Sequence, residues 1–309
     1  MTRISRLGPA VLCATVAVLA AIASALGVFA RGDGATMIAT TVRGGTFEVA
    51  LNGVYANNAQ RIVAEGVGWD FFTLIVAAPA LLIAAYFVWR GSFNARLVAA
   101  GLLGYFLYMY LEYAVTWAFG PLFLLFVVIY GTSIVGLAWM AATIAEEGVN
   151  DRFTDRFPRR AWAALSVGMS VLLTVLWVGR IWQALSGDAD AVLFGETTMT
   201  VQALDLGLVV PVSVMIAWLA WRRTSIGYVL AASFAITYAA MSAAIGSMLI
   251  SAGIYTGTYE LPPLVIFGLA TVASIAVAIR MYRSRVPMTK AAKELRPTTS
   301  DQQALLSGA

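Results

Sequence analysis

The sequence predicts an all-α membrane protein with eight transmembrane helices. Of its 309 residues, 61% are hydrophobic and 12% are charged, whereas a soluble domain is about a quarter charged. The apolar residues fall in eight runs close to the roughly 20 residues that a helix needs to cross a bilayer. We place these runs at residues 8–30, 69–89, 97–115, 121–145, 161–185, 206–221, 226–252 and 262–282.

The first apolar run is interpreted as a retained membrane anchor. Arg3 and Arg6 precede it, and Ala23-Ser24-Ala25 has the small residues of a signal-peptide cleavage site. The run is nevertheless longer than the roughly 7–15 apolar residues of a signal peptide. Cleavage would leave seven spans without changing the orientation of the others.

The longest polar connection, residues 31–68, is predicted to form a small extracytoplasmic cap. Two β-prone runs, Met37–Val42 and Thr46–Leu51, flank a glycine-containing turn, which is the pattern of a β-hairpin. A short helix that contains Arg61 and Glu65 is expected to follow, before the second span begins.

The basic residues predict which loops face the cytoplasm. With the N-terminus inside, sixteen of the twenty Lys and Arg residues lie in inside segments, three lie outside, and Arg180 lies within a span. Because cytoplasmic loops carry the excess of Lys and Arg, both termini are predicted to be cytoplasmic. Residues 146–160, which repeat Asp-Arg-Phe, then form a solvated cytoplasmic connector, and residues 283–309 form a disordered cytoplasmic tail.

Absent residue types exclude several kinds of chemistry. The chain has no histidine, which removes bis-histidine haem, histidine-ligated zinc and Ser-His-Asp catalysis. Its single cysteine, Cys13, has no partner for a disulfide, and its only lysines, Lys290 and Lys293, lie in the tail. We therefore expect no cofactor and no metal. The expected partners are the lipid bilayer and a small solute or ion, and not nucleic acid.

The two halves of the chain share a series of landmarks. Residues 1–145 and 161–282 each contain four predicted helices. The second helix of each half carries an aspartate, a proline and a closing tryptophan–arginine pair, namely Asp70, Pro79, Trp89 and Arg90, and Asp205, Pro211, Trp221 and Arg222. Because four is an even number, two such copies would be parallel repeats about an axis along the membrane normal. We predict this duplication, with Asp70 equivalent to Asp205 and Arg90 to Arg222; chance is the alternative, since Trp and Arg are common at membrane interfaces.

Several of these segments resemble a known family. They are Val201-Gln202-Ala203-Leu204-Asp205-Leu206-Gly207-Leu208-Val209-Val210-Pro211, Trp221-Arg222-Arg223, Gly68-Trp69-Asp70 and Arg90-Gly91-Ser92. Together they resemble a family of uncharacterised bacterial polytopic integral membrane proteins over roughly residues 50–240. The resemblance implies a bacterial cell membrane and implies no activity.

Glu112 is the deepest charge predicted inside the membrane. It lies fifteen residues beyond Leu97, or about 22 Å along the third helix, which places it in the outer leaflet. Tyr105 and Tyr108 share its helical face. An ionisable group within a span is costly to insert and is by default a candidate for function.

Four charges on four helices are predicted to converge at the outer mouth. The candidate ligand-binding residues are Glu112, Arg180, Asp70, Asp205, Tyr108 and Tyr105. We expect an ion pair between Glu112 and Arg180, since an isolated buried charge either finds a partner or neutralises. The alternatives are that Asp70 and Asp205 are helix N-caps and that Arg180 extends to the headgroups. Tyr110, Tyr113 and Trp117 are expected in the aromatic belt at the membrane interface.

Three functions fit this pattern. The first is binding or transport of a small solute or ion through an outward-facing polar cup between the repeats. The second is an intramembrane enzyme that acts on lipid or peptide with Asp70 and Asp205 as an aspartyl pair; it is disfavoured because both lie at predicted span ends. The third is a non-catalytic membrane assembly subunit.

Overall fold

The computed structural model has the eight helices that the apolar runs predict. It describes residues 3–146, 149, 152–189, 193 and 195–286. In that part of the chain, eight helices are long and apolar enough to cross a membrane. They are α1 (Arg3–Phe29), α2 (Gln60–Trp89), α3 (Phe93–Thr116), α4 (Phe123–Glu146), α5 (Arg159–Asp188), α6 (Thr200–Trp221), α7 (Ser225–Thr256) and α8 (Leu261–Arg283). Most of the predicted tail, residues 287–309, lies outside the described residues.

A two-stranded hairpin lies at one end of the bundle. Strands β1 (Thr36–Thr40) and β2 (Thr46–Ala50) pair in antiparallel register. The Arg43 guanidinium at the turn donates to the backbone oxygens of Glu196 and Thr197, at 3.4 and 3.2 Å. The hairpin turn therefore contacts the end of the connection between α5 and α6. We call this end of the molecule the hairpin side.

The opposite end carries the two short turns Arg90-Gly91-Ser92 and Arg222-Arg223-Thr224 together with residues 152–160, and we call it the arginine-rich side. Arg96 in α3 donates to the Thr143 carbonyl oxygen near the end of α4 at 3.2 Å. Residues 152–154 pair with the segment after α8, since the Thr154 N–H donates to the Ser284 carbonyl oxygen at 2.9 Å. The inter-half connector and the end of α8 therefore lie on the same side.

The second helix begins earlier than predicted. The expected short helix with Arg61 and Glu65 is the first part of α2, which runs without interruption from Gln60. Gly66 and Gly68 lie just before the predicted start of this span, and glycines are typical of loops. In the structure they lie inside the helix and allow neighbouring helices to approach closely. A Cβ on Gly66 would overlap the Trp117 ring, and one on Gly68 would lie 2.7 Å from the Met248 Cα of α7.

Each of α2 and α6 contains a π-helical turn followed by a proline. The turns are Thr73–Ala77 in α2 and Asp205–Val209 in α6. Pro79 and Pro211 stand in the first turn of the α-helix that resumes after each. Proline has no N–H to donate to the preceding turn, and π turns inside α-helices are frequent at functional sites.

The two halves have the same order of neighbouring helices. In the first half α1 packs on α2, α2 on α3, α3 on α4, and α4 returns to α1; in the second half α5, α6, α7 and α8 contact one another in the corresponding order. The halves meet mainly where α7 packs against α2 and α3. This order is what a duplication requires, and the duplication itself stays a prediction.

Several corresponding residues in and just after α2 and α6 lie 132 positions apart in the sequence. This interval separates Pro79 from Pro211, Trp89 from Trp221, the left-handed residues Gly91 and Arg223, and the helix N-caps Ser92 and Thr224. In this register Arg90 corresponds to Arg222, as expected. Thr73 and not Asp70 lies 132 positions before Asp205, so this register does not pair the two aspartates as we predicted. The two aspartates stand at different distances from their prolines.

The described part of the connector, residues 152–160, is only partly solvated, whereas we predicted a solvated segment. Arg152 and Phe157 are buried. The Phe157 ring stacks on Tyr228 of α7 with 4.1 Å between ring centres, and the Arg152 guanidinium lies 4.6 Å from the ring centre of Phe93 in α3. Phe157 thus attaches the connector to the second half, and Arg152 attaches it to the first.

Candidate functional site

The six predicted site residues divide between two places. Asp205, Tyr108, Glu112 and Arg180 lie toward the hairpin side where α3, α5 and α6 approach one another. Asp70 and Tyr105 lie inside the first half, between α1, α2 and α3. The expected convergence at one mouth is therefore wrong for Asp70 and Tyr105.

Asp205 joins three helices through its carboxylate. It is the first residue of the π turn in α6 and is 8% exposed. The Tyr108 hydroxyl of α3 donates to its Oδ1, and the Trp177 indole N–H of α5 donates to its Oδ2 at 2.8 Å. Both oxygens are engaged, but both donors are uncharged. Within the described chain the Asp205 carboxyl group therefore has hydrogen-bond donors but no ion pair.

Glu112 adds a second carboxylate beside Asp205. It lies four residues after Tyr108 in α3, which places it on the same helical face. Asp205, Glu196 and Glu65 are the charged groups that act electrostatically on Glu112. All three are acidic, and within the described chain Glu112 forms no ion pair. We use the name Asp205 site for Asp205, Glu112, Tyr108 and Trp177.

The predicted ion pair between Glu112 and Arg180 is not formed. The described ion pairs are those of Arg61 with Glu65 and with Glu260. Arg180 lies three residues after Trp177 in α5, and its guanidinium stands 5.9 Å from the centre of the Trp177 ring. The Arg180 guanidinium also acts electrostatically on the Glu65 carboxyl group of α2.

Arg61 is the cation that sequence reasoning missed at this end. Its guanidinium contacts Glu65 one turn later in α2 at 3.1 Å and Glu260 before α8 at 2.7 Å. The spacing of Arg61 and Glu65 is a sequence signal for a helical pair. The contact with Glu260 crosses from one half to the other, and no sequence pattern predicts it.

Glu196 was also missed, because it lies in the loop between α5 and α6. Partial burial raises the pKa of the Glu196 carboxyl to about 7. The loop is held by the hairpin, since Arg43 donates to the Glu196 carbonyl oxygen. A group that titrates near neutrality therefore stands above the Asp205 site.

Asp70 has very different surroundings. It is completely buried, and its Oδ2 accepts a hydrogen bond from the Tyr55 hydroxyl at 2.5 Å. Its Oδ1 has no hydrogen-bond partner among the described residues. Ser24 of α1 lies beside the carboxylate, and Gly27 of α1 leaves it room, since a Cβ there would overlap Asp70 and Tyr55.

Tyr105 belongs to the packing around α2. Its hydroxyl is 2.6 Å from Thr73 Oγ1, at the start of the first π turn. Tyr110 and Tyr113 are likewise buried, so their predicted place in an aromatic belt is wrong. These rings pack against one another and against Phe126 of α4. They form the core of the first half, and Tyr105 does not contact the Asp205 site.

The positions of Asp70 and Asp205 match neither the role of helix N-caps nor that of a catalytic aspartyl pair. Both lie inside helices, ten residues after Gln60 and five after Thr200, so neither is an N-cap. Within the described chain no hydrogen bond joins the two carboxylates, and neither acts electrostatically on the other. The aspartyl pair of the disfavoured enzyme hypothesis is therefore not formed between the described side chains.

Comparisons with known proteins assign no function to this chain. No family model matches the chain, and searches of curated proteins and of solved structures return no match. The resemblance to a bacterial membrane family stays a prediction. What the structure supplies is a protein with eight apolar helices and a two-carboxylate site between its halves.

Proposed function

We propose that this is a multi-pass cell-membrane protein that binds a small cationic solute at the Asp205 site and carries it across the bilayer. The observation behind the proposal is that Glu112 and Asp205, on facing helices, form no ion pair within the described chain. A charge within a membrane normally pairs with an opposite charge. A bound cation would supply it.

The surrounding charges favour a cation over an anion. Glu65 and Glu196 add to the negative field at Glu112. Arg61 is paired with Glu65 and Glu260. The Trp177 and Tyr108 rings adjoin Asp205 through their indole N–H and hydroxyl groups, and aromatic rings attract organic ammonium groups. A small protonated amine combines a charge for the carboxylates with an apolar part for the rings.

The architecture fits entry from the hairpin side. The Asp205 site lies in the half of α3 nearer that side, and the loop with Glu196 stands above it. On the arginine-rich side the connector packs against both α3 and α7. We assign the hairpin side to the exterior and both termini to the cytoplasm, as the loop charges favour. The solute would then enter from outside toward a closed inner end.

Binding is tested by thermal unfolding of the detergent-solubilised protein with methylammonium chloride, against sodium chloride at equal ionic strength. Methylammonium should raise the melting temperature saturably, by an amount equivalent to about 2.7 kcal/mol at one hundred times its Kd. Glu112→Gln and Asp205→Asn should each abolish the rise. Glu146→Gln, which removes a carboxylate at the arginine-rich end of α4, should retain it. An equal rise in all four proteins would refute the site.

Transport is tested separately by uptake of labelled methylammonium into proteoliposomes. We expect saturable uptake by the wild-type protein and by Glu146→Gln, and none by Glu112→Gln or Asp205→Asn. Binding without uptake would make the protein a receptor for the same solute. Uptake that persists in both site variants would place the path elsewhere.

A further inference from the structure

A cleft on the arginine-rich side gathers four guanidinium groups. It has a volume of about 400 Å³, within the roughly 300–1,000 Å³ of small-molecule sites. Its lining includes Arg156, Arg159, Arg160 and Arg280, with Asp155 as the single carboxylate. Within the described chain these arginines form no ion pair. The cleft therefore concentrates positive charge that the described residues leave uncompensated.

The wall of the cleft is held in place by the fold. Phe157 is buried and stacks on Tyr228 of α7. The Thr154 N–H donates to the Ser284 carbonyl oxygen beyond α8, and the Phe157 N–H donates to the Thr154 carbonyl oxygen at 3.0 Å. The backbone that presents Arg156 and Arg159 is thus attached to α7 and α8. The arginines are gathered by tertiary structure and not only by their closeness in the chain.

The cleft lies at the ends of two helices. Arg159 and Arg160 open α5, and Arg280 lies in the last turn of α8. Pro158, the residue before α5, offers no side-chain cap. The first N–H groups of a helix attract anions, so the start of α5 adds to the field of the guanidiniums. These helix ends mark the level at which a bilayer's headgroups would lie.

We propose that this cleft binds a phosphate group, presented by an anionic phospholipid headgroup at the membrane surface. Guanidinium groups match phosphate oxygens with paired, charge-assisted hydrogen bonds. Several arginines around one cleft provide more donors than a single surface arginine. The site lies at the opposite end from the Asp205 site and does not depend on the proposed transport.

The test uses the full chain in detergent, titrated with phosphatidylglycerol, with zwitterionic phosphatidylcholine, or with inorganic phosphate at constant ionic strength. Phosphatidylglycerol should raise the melting temperature, and Arg156→Gln with Arg160→Gln should shift its half-saturating concentration upward by about tenfold or more. Both side chains are exposed, so the double variant should fold. Arg280→Gln tests the other wall of the cleft in the same way.

The matched control is Arg90→Gln with Arg222→Gln, two exposed arginines on the same side that do not line the cleft. It removes the same charge and should leave the titration unchanged. A response to phosphatidylglycerol alone assigns the headgroup, and a response to inorganic phosphate as well assigns phosphate in either form. Equal effects of the two lipids, or an equal shift in the cleft and control variants, would overturn the proposal.

Discussion

Asp70 and Asp205 have the same side chain, but the residues around them give the two carboxyl groups different surroundings. Both Asp205 oxygens accept hydrogen bonds, and a second carboxylate, Glu112, stands nearby. Asp70 has one donor, Tyr55, and one oxygen without a described partner. Leaving a buried polar atom unpaired costs about 1–3 kcal/mol. The fold must therefore stabilise the Asp70 cluster through its packing.

Sequence reasoning identified both aspartates but not what surrounds them. A carboxylate in an apolar run is visible in the sequence, because inserting it costs free energy. Tyr55 lies in the loop after β2, and Gly27 lies in an otherwise ordinary apolar helix. Their contact with Asp70 depends on how α1, α2 and that loop pack. No local spacing encodes such a contact.

Gly27→Ala tests whether close packing holds the Asp70 cluster. The added methyl would overlap Asp70 and Tyr55, and overpacking typically costs about 1–3 kcal/mol. We expect a corresponding fall in the free energy of unfolding, measured by SDS titration of the detergent-solubilised protein. Gly131→Ala in α4, where a Cβ would meet nothing within 4 Å, should be neutral or slightly stabilising. Equal effects of the two substitutions would contradict the close approach of α1 to Asp70.

At the scale of elements, helix existence was predictable and helix continuity was not. The apolar runs identify all eight spans because each must cover the bilayer core. The starts of α2 and α6 were placed too late, at 69 and 206 instead of Gln60 and Thr200. The π turns were not predicted either, since one extra residue in a helical turn leaves no clear mark on the apolar pattern. Asp205 is the first residue of the turn in α6, and there it accepts hydrogen bonds from α3 and α5.

The short turns before α3 and α7 end in side-chain caps whose contribution to stability can be tested. The Ser92 hydroxyl accepts from the Ala95 N–H at 3.3 Å, and the Thr224 hydroxyl accepts from the Gly227 N–H at 3.1 Å. Loss of such a cap typically costs about 0.5–2 kcal/mol. Ser92→Ala and Thr224→Ala should each lower the free energy of unfolding by that amount.

The control for the caps is Ser225→Ala, next to Thr224, whose side chain makes no hydrogen bond to described residues. It should leave stability nearly unchanged. The double cap variant should show the sum of the two single losses, since the caps begin different helices. A loss confined to one of the two caps would mean that the turns are not energetically alike.

At the scale of the whole molecule, the contact between the halves is uneven. α7 packs along both α2 and α3, whereas α6 meets α3 mainly near its own start. An exact two-fold arrangement would give α6 and α3 the same contact as α2 and α7. The looser side is where the Asp205 site lies. A carrier built from two parallel halves would change access by moving one half against the other.

Joining the halves with a disulfide tests that motion. A Cβ on Gly104 of α3 would lie 3.9 Å from the Thr237 Cβ of α7, and disulfides need about 3.5–4.5 Å between these atoms. Gly104→Cys with Thr237→Cys, in a Cys13→Ala background, should therefore cross-link on oxidation. We expect the cross-link to stop methylammonium uptake into proteoliposomes while methylammonium still raises the melting temperature. Reduction should restore uptake, because the halves would then be free to move. Full uptake by the oxidised protein would show that α3 and α7 stay together during transport, and the moving part would have to be sought within one half.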